Sequence, residues 1–225
     1  MNYYLLNHSV EGKIVGTQYP QIQKMIKGYD MKAPDAIRTL ENCYEELPTF
    51  TPNLNAFQLH ARAKPTDLVS SVFGPFGIIV SEKLKLILEQ HNLSKHTFFK
   101  ATLQHKIKSY DNYYWMHIIP DYLDYVDYPN SNFIIELPLS QNLGAVKISS
   151  KADWFEKKEK VKNDNPSKTI YISAKKIKFL PEFYKLDLDF FEVARLTSRP
   201  IISSHLADAL RQNNITGIEI HDAPM

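Results

Sequence analysis

The chain has 225 residues, 44% of them hydrophobic and 23% charged, enough to bury the core of one large domain or two small ones. Its 27 basic and 25 acidic residues leave a net charge of +2, which supplies no overall pull toward nucleic acid. A lone Cys43 excludes an internal disulfide and a cysteine-based zinc site, and fits a reducing compartment.

The opening stretch MNYYLLNHSVEGK has neither a basic segment nor a long apolar run, so it does not read as a secretory signal. No stretch approaches the roughly 20 apolar residues of a membrane helix, and a cytoplasmic location is expected. Tyr3 to Leu6 reads as an opening or edge strand. Ala33 to Glu46 has weak helical character, ended by Pro48 and Pro52. Phe57, Leu59 and Ala61 alternate with polar residues, as on a half-buried strand.

At Gly77 the chain reads GIIVSEKLKLILEQHNLSKHTFF, and at Arg199 it reads RPIISSHLADALRQNNITGIEI. Aligning Ser81 with Ser203 needs no gap, and it places Val80 over Ile202, Leu84 over Leu206, Leu88 over Leu210, and Asn92 over Asn214. Each copy predicts a β-branched strand, a serine N-cap, one apolar helical stripe, an asparagine stop and a second strand. Every shared position is a cap, a stop or a core residue, so the repeat itself offers no catalytic group.

Between the copies, YYWMHII (Tyr113 to Ile119) and Phe133 to Leu137 read as strands. Residues 141–168 turn polar and charged, as a solvated helix or loop insertion. Strand-like alternation resumes at Ile170, Ile172 and Ala174. The expectation is an α+β fold: a mixed, largely antiparallel sheet, a few short helices and two similar strand-helix-strand units. The chain reads as a single globular domain, 1–225, or alternatively as two pseudo-repeated halves, 1–140 and 169–225, joined by the polar insertion.

The paired units, together with the strand at Tyr113 and Tyr114 and the later Asp127 and Ser131, resemble a family of bacterial immunity proteins from polymorphic toxin systems, once a domain of unknown function. The likeness covers about two thirds of the chain. Thr216 and Gly217 match the family pattern in the second copy, whereas Ser94 and Lys95 depart from it in the first. The resemblance implies a non-enzymatic protein that binds and occludes a cognate toxin domain, without nucleic acid, membrane or cofactor.

The least ordinary local sequence is DYLDYVDY, Asp121 to Tyr128. On a helical or 3₁₀ turn its three carboxylates share a broad sector. Asp121, Asp124 and Asp127 would then steer a basic partner, with Tyr122, Tyr125 and Tyr128 as rigid anchors. The competing reading is a solvated turn with its rings in the core. The eight histidines show no ligand spacing, and Lys157, Lys158, Lys160 and Lys162 are broken by Glu156 and Glu159, as on a solvated face. No phosphate loop, nucleophile elbow or paired-carboxylate signature occurs. An enzyme of unknown type and a nucleic-acid-binding regulator stand as alternatives, the first lacking a catalytic constellation and the second a basic charge balance.

Overall fold

The computed structural model describes residues 2–73, 76–137, 141–167, 169–194, 196–197 and 199–225, with Gln141 described by its backbone alone. The N-terminal half runs β1 (Tyr3–His8), α1 (Gly12–Val15), β2 (Ile22–Met25), a 3₁₀ turn (Ile37–Asn42), β3 (Phe57–Leu59), β4 (Leu68–Val69), β5 (Gly77–Ser81), α2 (Glu82–Leu88), β6 (His96–His105) and β7 (Lys108–Ile118). Two 3₁₀ turns (Leu123–Tyr125, Tyr128–Asn130) lead to β8 (Asn132–Leu137), β9 (Gln141–Val146), α3 (Lys151–Asn163), β10 (Tyr171–Lys176) and α4 (Pro181–Tyr184). The chain closes with β11 (Phe190–Phe191), β12 (Ile201–Ser203), α5 (Ser204–Gln212) and β13 (Ile218–Asp222). The fold is α+β, as the sequence predicts.

Both repeat helices begin as their serines dictate. Ser81 and Ser203 hold the same extended backbone (φ −69°, ψ 162° and φ −71°, ψ 163°) and accept hydrogen bonds from the Leu84 and Leu206 amides, at 3.2 and 3.1 Å. Leu84, Leu88, Leu206 and Leu210 are fully buried in one shared core. The stops differ. Asn214 takes the left-handed conformation (φ +49°), but Asn92 does not; its side chain instead donates to the carbonyls of Leu186 and Asp187, each at 2.9 Å.

The duplication extends well beyond the aligned segments. β4 pairs with β5 (Leu68 opposite Val80, Val69 opposite Ile79) as β11 pairs with β12 (Phe190 opposite Ile202, Phe191 opposite Ile201). β5 then pairs with β7, setting Ser81 opposite Tyr113 and Val80 opposite Tyr114. In the second unit the same place is filled by β1, with Ser203 opposite Tyr3 and Ile202 opposite Tyr4. On the far side, Phe98 faces Met116 and His96 faces Ile118, as Ile220 faces Leu6 and Ile218 faces His8. The strand order β4-β5-β7-β6 within the six-stranded sheet is thus repeated as β11-β12-β1-β13 in the four-stranded sheet. The N-terminal strand completes the C-terminal unit, so backbone pairing does not follow a division into 1–140 and 169–225; residues 140 and 168 themselves lie outside the described residues.

A reciprocal clasp joins the units. Asp67 Oδ1 accepts from Ser81 Oγ (2.7 Å) and Asp189 Oδ1 from Ser203 Oγ (2.5 Å), each aspartate standing 14 residues before its serine. The second oxygen of each carboxylate reaches across to the other unit. Asp67 Oδ2 accepts from the amide and hydroxyl of Thr216 (2.9 and 2.7 Å), and Asp189 Oδ2 from the amide of Asn92 (3.0 Å). Gly217 follows at φ +80°, where a Cβ would overlap the Leu68 carbonyl.

Successive strand residues point to opposite faces, and β5 and β12 are covered on both, which explains their unbroken apolar runs. Ile78 and Val80 join Ile202 and the two helices in the central core. Ile79 turns outward to a core with Trp115 and Phe57, and Ile201 to one with Phe183 and Phe191. The two outer covers differ. The first comes from residues 22–63, where only the 3₁₀ turn at Ile37–Asn42 appears in place of the helix expected over 33–46. The second comes from residues 121–188, including a three-stranded sheet, β10-β8-β9. Within the polar stretch 141–168, α3 is anchored by Trp154, which is 1% exposed.

Candidate functional site

The DYLDYVDY segment lies on the outer cover of the second unit, where residues 123–125 and 128–130 coil as 3₁₀ turns. Asp121 and Asp124 are exposed and Asp127 is half-buried. Each carboxylate is already engaged. Asp121 Oδ1 accepts from the Tyr122 amide at 2.7 Å, Asp124 pairs with Lys151 Nζ at 2.7 Å, and Asp127 accepts from Asn130 Nδ2 at 2.9 and 3.1 Å. The rings turn the other way. Tyr128 is 4% exposed and donates to the Leu123 carbonyl at 3.1 Å, while Tyr122 and Tyr125 are half-buried with their edges against Phe183. Burial, with neighbouring Asp121 and Tyr125, pushes the Tyr122 phenol up to about 12; burial, with Asp124, does the same to Tyr128. The segment therefore presents carboxylates outward and keeps its rings largely within the fold.

The other polar residues singled out from sequence have local partners. His91 Nδ1 lies 2.7 Å from the Ile87 carbonyl, and its ring packs on His205, 4.7 Å between centroids, beside Asp189. Burial alone would raise the Asp189 pKa; the bonds from Ser203 and Asn92, with His205 and His91 nearby, outweigh it and hold the carboxyl below its usual range. His96 Nδ1 lies 2.7 Å from the Ser94 carbonyl. His117 is buried, its Nε2 2.7 Å from the Cys43 carbonyl, and Cys43 has its thiol pushed up by burial. Among the described residues no group of three or more His, Cys, Asp or Glu side chains is placed to hold a metal. On α3, Lys157 pairs with Asp153 at 2.8 Å and Lys158 lies over the Trp154 ring at 5.3 Å.

Sequence reasoning missed a cavity between the two units. Of about 280 Å³, it is walled by apolar residues, among them Leu6, Leu68, Ile79 and Phe76, and includes Gly77, where a Cβ would overlap the Trp115 ring. Its lining draws on β1, β4, β5 and β7 and on the two equivalent connections, β4 to β5 and β11 to β12. Six residues with polar side chains contribute to the lining: His8, Ser71, Trp115, Glu192, Thr197 and Arg199. Trp115 Nε1 and Thr197 Oγ1 are buried without a hydrogen-bond partner. Burial pushes the Glu192 carboxyl up to about 7 against the opposing pull of Arg199. Burial and then Arg199 push His8 down to about 4, against a hydrogen bond to the Val69 backbone. Pockets with apolar walls and a few convergent, perturbed polar groups are the usual form of a ligand site.

Fold and site together describe an internally duplicated α+β protein with a small cleft at the junction of its units and an acidic segment on one outer cover. The chain belongs to an immunity protein family (Imm11), whose family model matches residues 3–224. A comparison with curated proteins gives no match. Among the described residues no helix is long and apolar enough to cross a membrane.

Proposed function

We propose that this protein protects a bacterial cell by binding a cognate toxin domain in the cytoplasm and occluding it, without catalysis. The observation that carries the reading is the family match over nearly the whole chain. In this reading the contact surface is the segment from Asp121 to Tyr128. Two of its carboxylates are exposed, and the ion pair of Asp124 with Lys151 is a surface pair that a basic partner exchanges at little cost. Because Tyr128 is buried and Tyr122 and Tyr125 are packed on Phe183, the carboxylates supply encounter and orientation, and the rings hold them in place. The probe is the toxin domain encoded beside this gene, produced with and without the protein. Wild-type protein should rescue growth. The triple substitution Asp121→Asn, Asp124→Asn and Asp127→Asn should keep the thermal midpoint nearly unchanged and slow association, more so at low salt. Full protection and unchanged association by the triple variant removes this surface from the mechanism; no protection by wild-type protein removes the reading itself.

A further inference from the structure

We propose that the tip of the β6–β7 hairpin is a membrane-contact element that seats Ile107 in the apolar margin of an anionic lipid bilayer, with the flanking lysines at its headgroups. The turn departs from what folding alone favours. His105 pairs with Lys108, which leaves Lys106 and Ile107 as a two-residue loop. Loops of this length need a left-handed residue in the first place and favour Gly, Asn or Asp there. That place is held by Lys106 at φ +56°, a strained backbone for a residue with a Cβ. Ile107 beside it is 99% exposed, so its side chain adds nothing to any core. The tip also projects. β7 runs five residues past Tyr113, its last pairing with β5, so residues 108–112 pair with β6 alone and carry the turn about 16 Å beyond β5.

The charge around the tip has one dominant sign. Lys106 and Lys108 flank Ile107, and both are exposed. β3 runs parallel to β6, with Gln58 beside Gln104, so the residues after Leu59 emerge at the same end; the Ala61 carbonyl lies 3.4 Å from His105 Nε2. Arg62 and Lys64 therefore stand behind the tip, and Lys64 Nζ donates to the Lys13 carbonyl at 2.8 Å. Among the described residues none of these five cations is in an ion pair. The acids nearest in the chain are Glu11 and Asp111, the latter three residues, about 10 Å, back from Lys108. A protein interface is built on a broad patch with aromatic anchors, whereas this tip is a narrow projection with one apolar side chain. Its loop has no aromatic ring to stack on a base. A bilayer accepts a lone apolar side chain while amines on either side reach the headgroup phosphates. The segment Asp121 to Tyr128 follows the other end of β7, about 33 Å from the tip, so attachment leaves that surface free.

The test sediments the full chain with vesicles of equal parts phosphatidylglycerol and phosphatidylcholine, and with vesicles of phosphatidylcholine alone. Binding to the anionic vesicles should be saturable, weaken as salt rises, and vanish without phosphatidylglycerol. Ile107→Ser should bind about tenfold more weakly with an unchanged thermal midpoint, because the side chain is fully exposed. Lys106→Gln with Lys108→Gln should bind about thirtyfold more weakly, at roughly fivefold per lysine. No sedimentation with anionic vesicles overturns the proposal. Wild-type binding by Ile107→Ser also overturns it, since the contact is then one of charge without insertion. Tighter binding to a DNA duplex than to the anionic vesicles does the same and gives the lysines to nucleic acid.

Discussion

Glu192 is a half-buried acid whose ionised form the fold disfavours, and the direction of its shift sets a measurable stability change. Its folded pKa, about 7, stands above the ordinary 4.5, so the folded state binds the proton more tightly. The stability this gives is complete below about pH 4.5 and is lost as pH rises through about 7. Glu192→Gln removes the ionisation, so it should raise the unfolding free energy by about 1–3 kcal/mol at pH 8 and leave it nearly unchanged near pH 4.5. Urea unfolding at the two pH values measures this; a variant less stable than wild type at pH 8 refutes the assignment. His8 works in the opposite sense, its contribution present above about 6.5 and lost as pH falls through about 4. The acid was legible in FFEVARLTSRP only as a charge among apolar neighbours. Its raised pKa follows from burial against strands remote in sequence, which no local pattern encodes.

At the scale of the element, the two capped helices are the parts most fully written in their own sequence. Capping is a bond between residues three apart, and an apolar stripe at helical spacing needs only one core to face. The clasp adds what local sequence omits, because each serine also donates to an aspartate. Ser203→Ala should cost about 2–3 kcal/mol, since it removes both the helix cap and a bond to Asp189, which is only 7% exposed. Ser81→Ala should cost less, about 1–2 kcal/mol, because Asp67 is half-buried and keeps two bonds from Thr216. Chemical denaturation of both variants tests the order, and equal losses would show that the deeper burial of Asp189 adds nothing to its bond from Ser203. The same clasp gives physical meaning to the mismatch of Thr216-Gly217 with Ser94-Lys95. Thr216 meets Asp67 through its hydroxyl and Gly217 lies against the Leu68 carbonyl, whereas the first copy is held through the Asn92 amide.

For the whole molecule, the N-terminal strand is the decisive long-range element. β1 lies between β12 and β13, so without it the four-stranded sheet loses an inner strand. Removing residues 1–8 should abolish amide-exchange protection across Ile201–Asp222. The six-stranded sheet, whose strands begin at Ile22, keeps all its members and should retain residual protection. Unchanged protection at Ile218–Asp222 in the truncated chain would contradict the pairing. Asn-Tyr-Tyr stands at residues 2–4 and again at 112–114, a signal in the sequence that the two strands occupy equivalent places.

Short-range physics made the repeat, its caps, its buried leucines and the α+β class readable from the sequence, because each depends on residues a few positions apart. Which strands pair, and which way the tyrosines of DYLDYVDY face, was decided only in three dimensions. Tyr3 meets Ser203 and Tyr122 meets Phe183 through contacts that no periodicity specifies. The cavity belongs wholly to that second kind: His8, Trp115 and Glu192 come from distant segments, and they meet only because two copies of one unit close against each other.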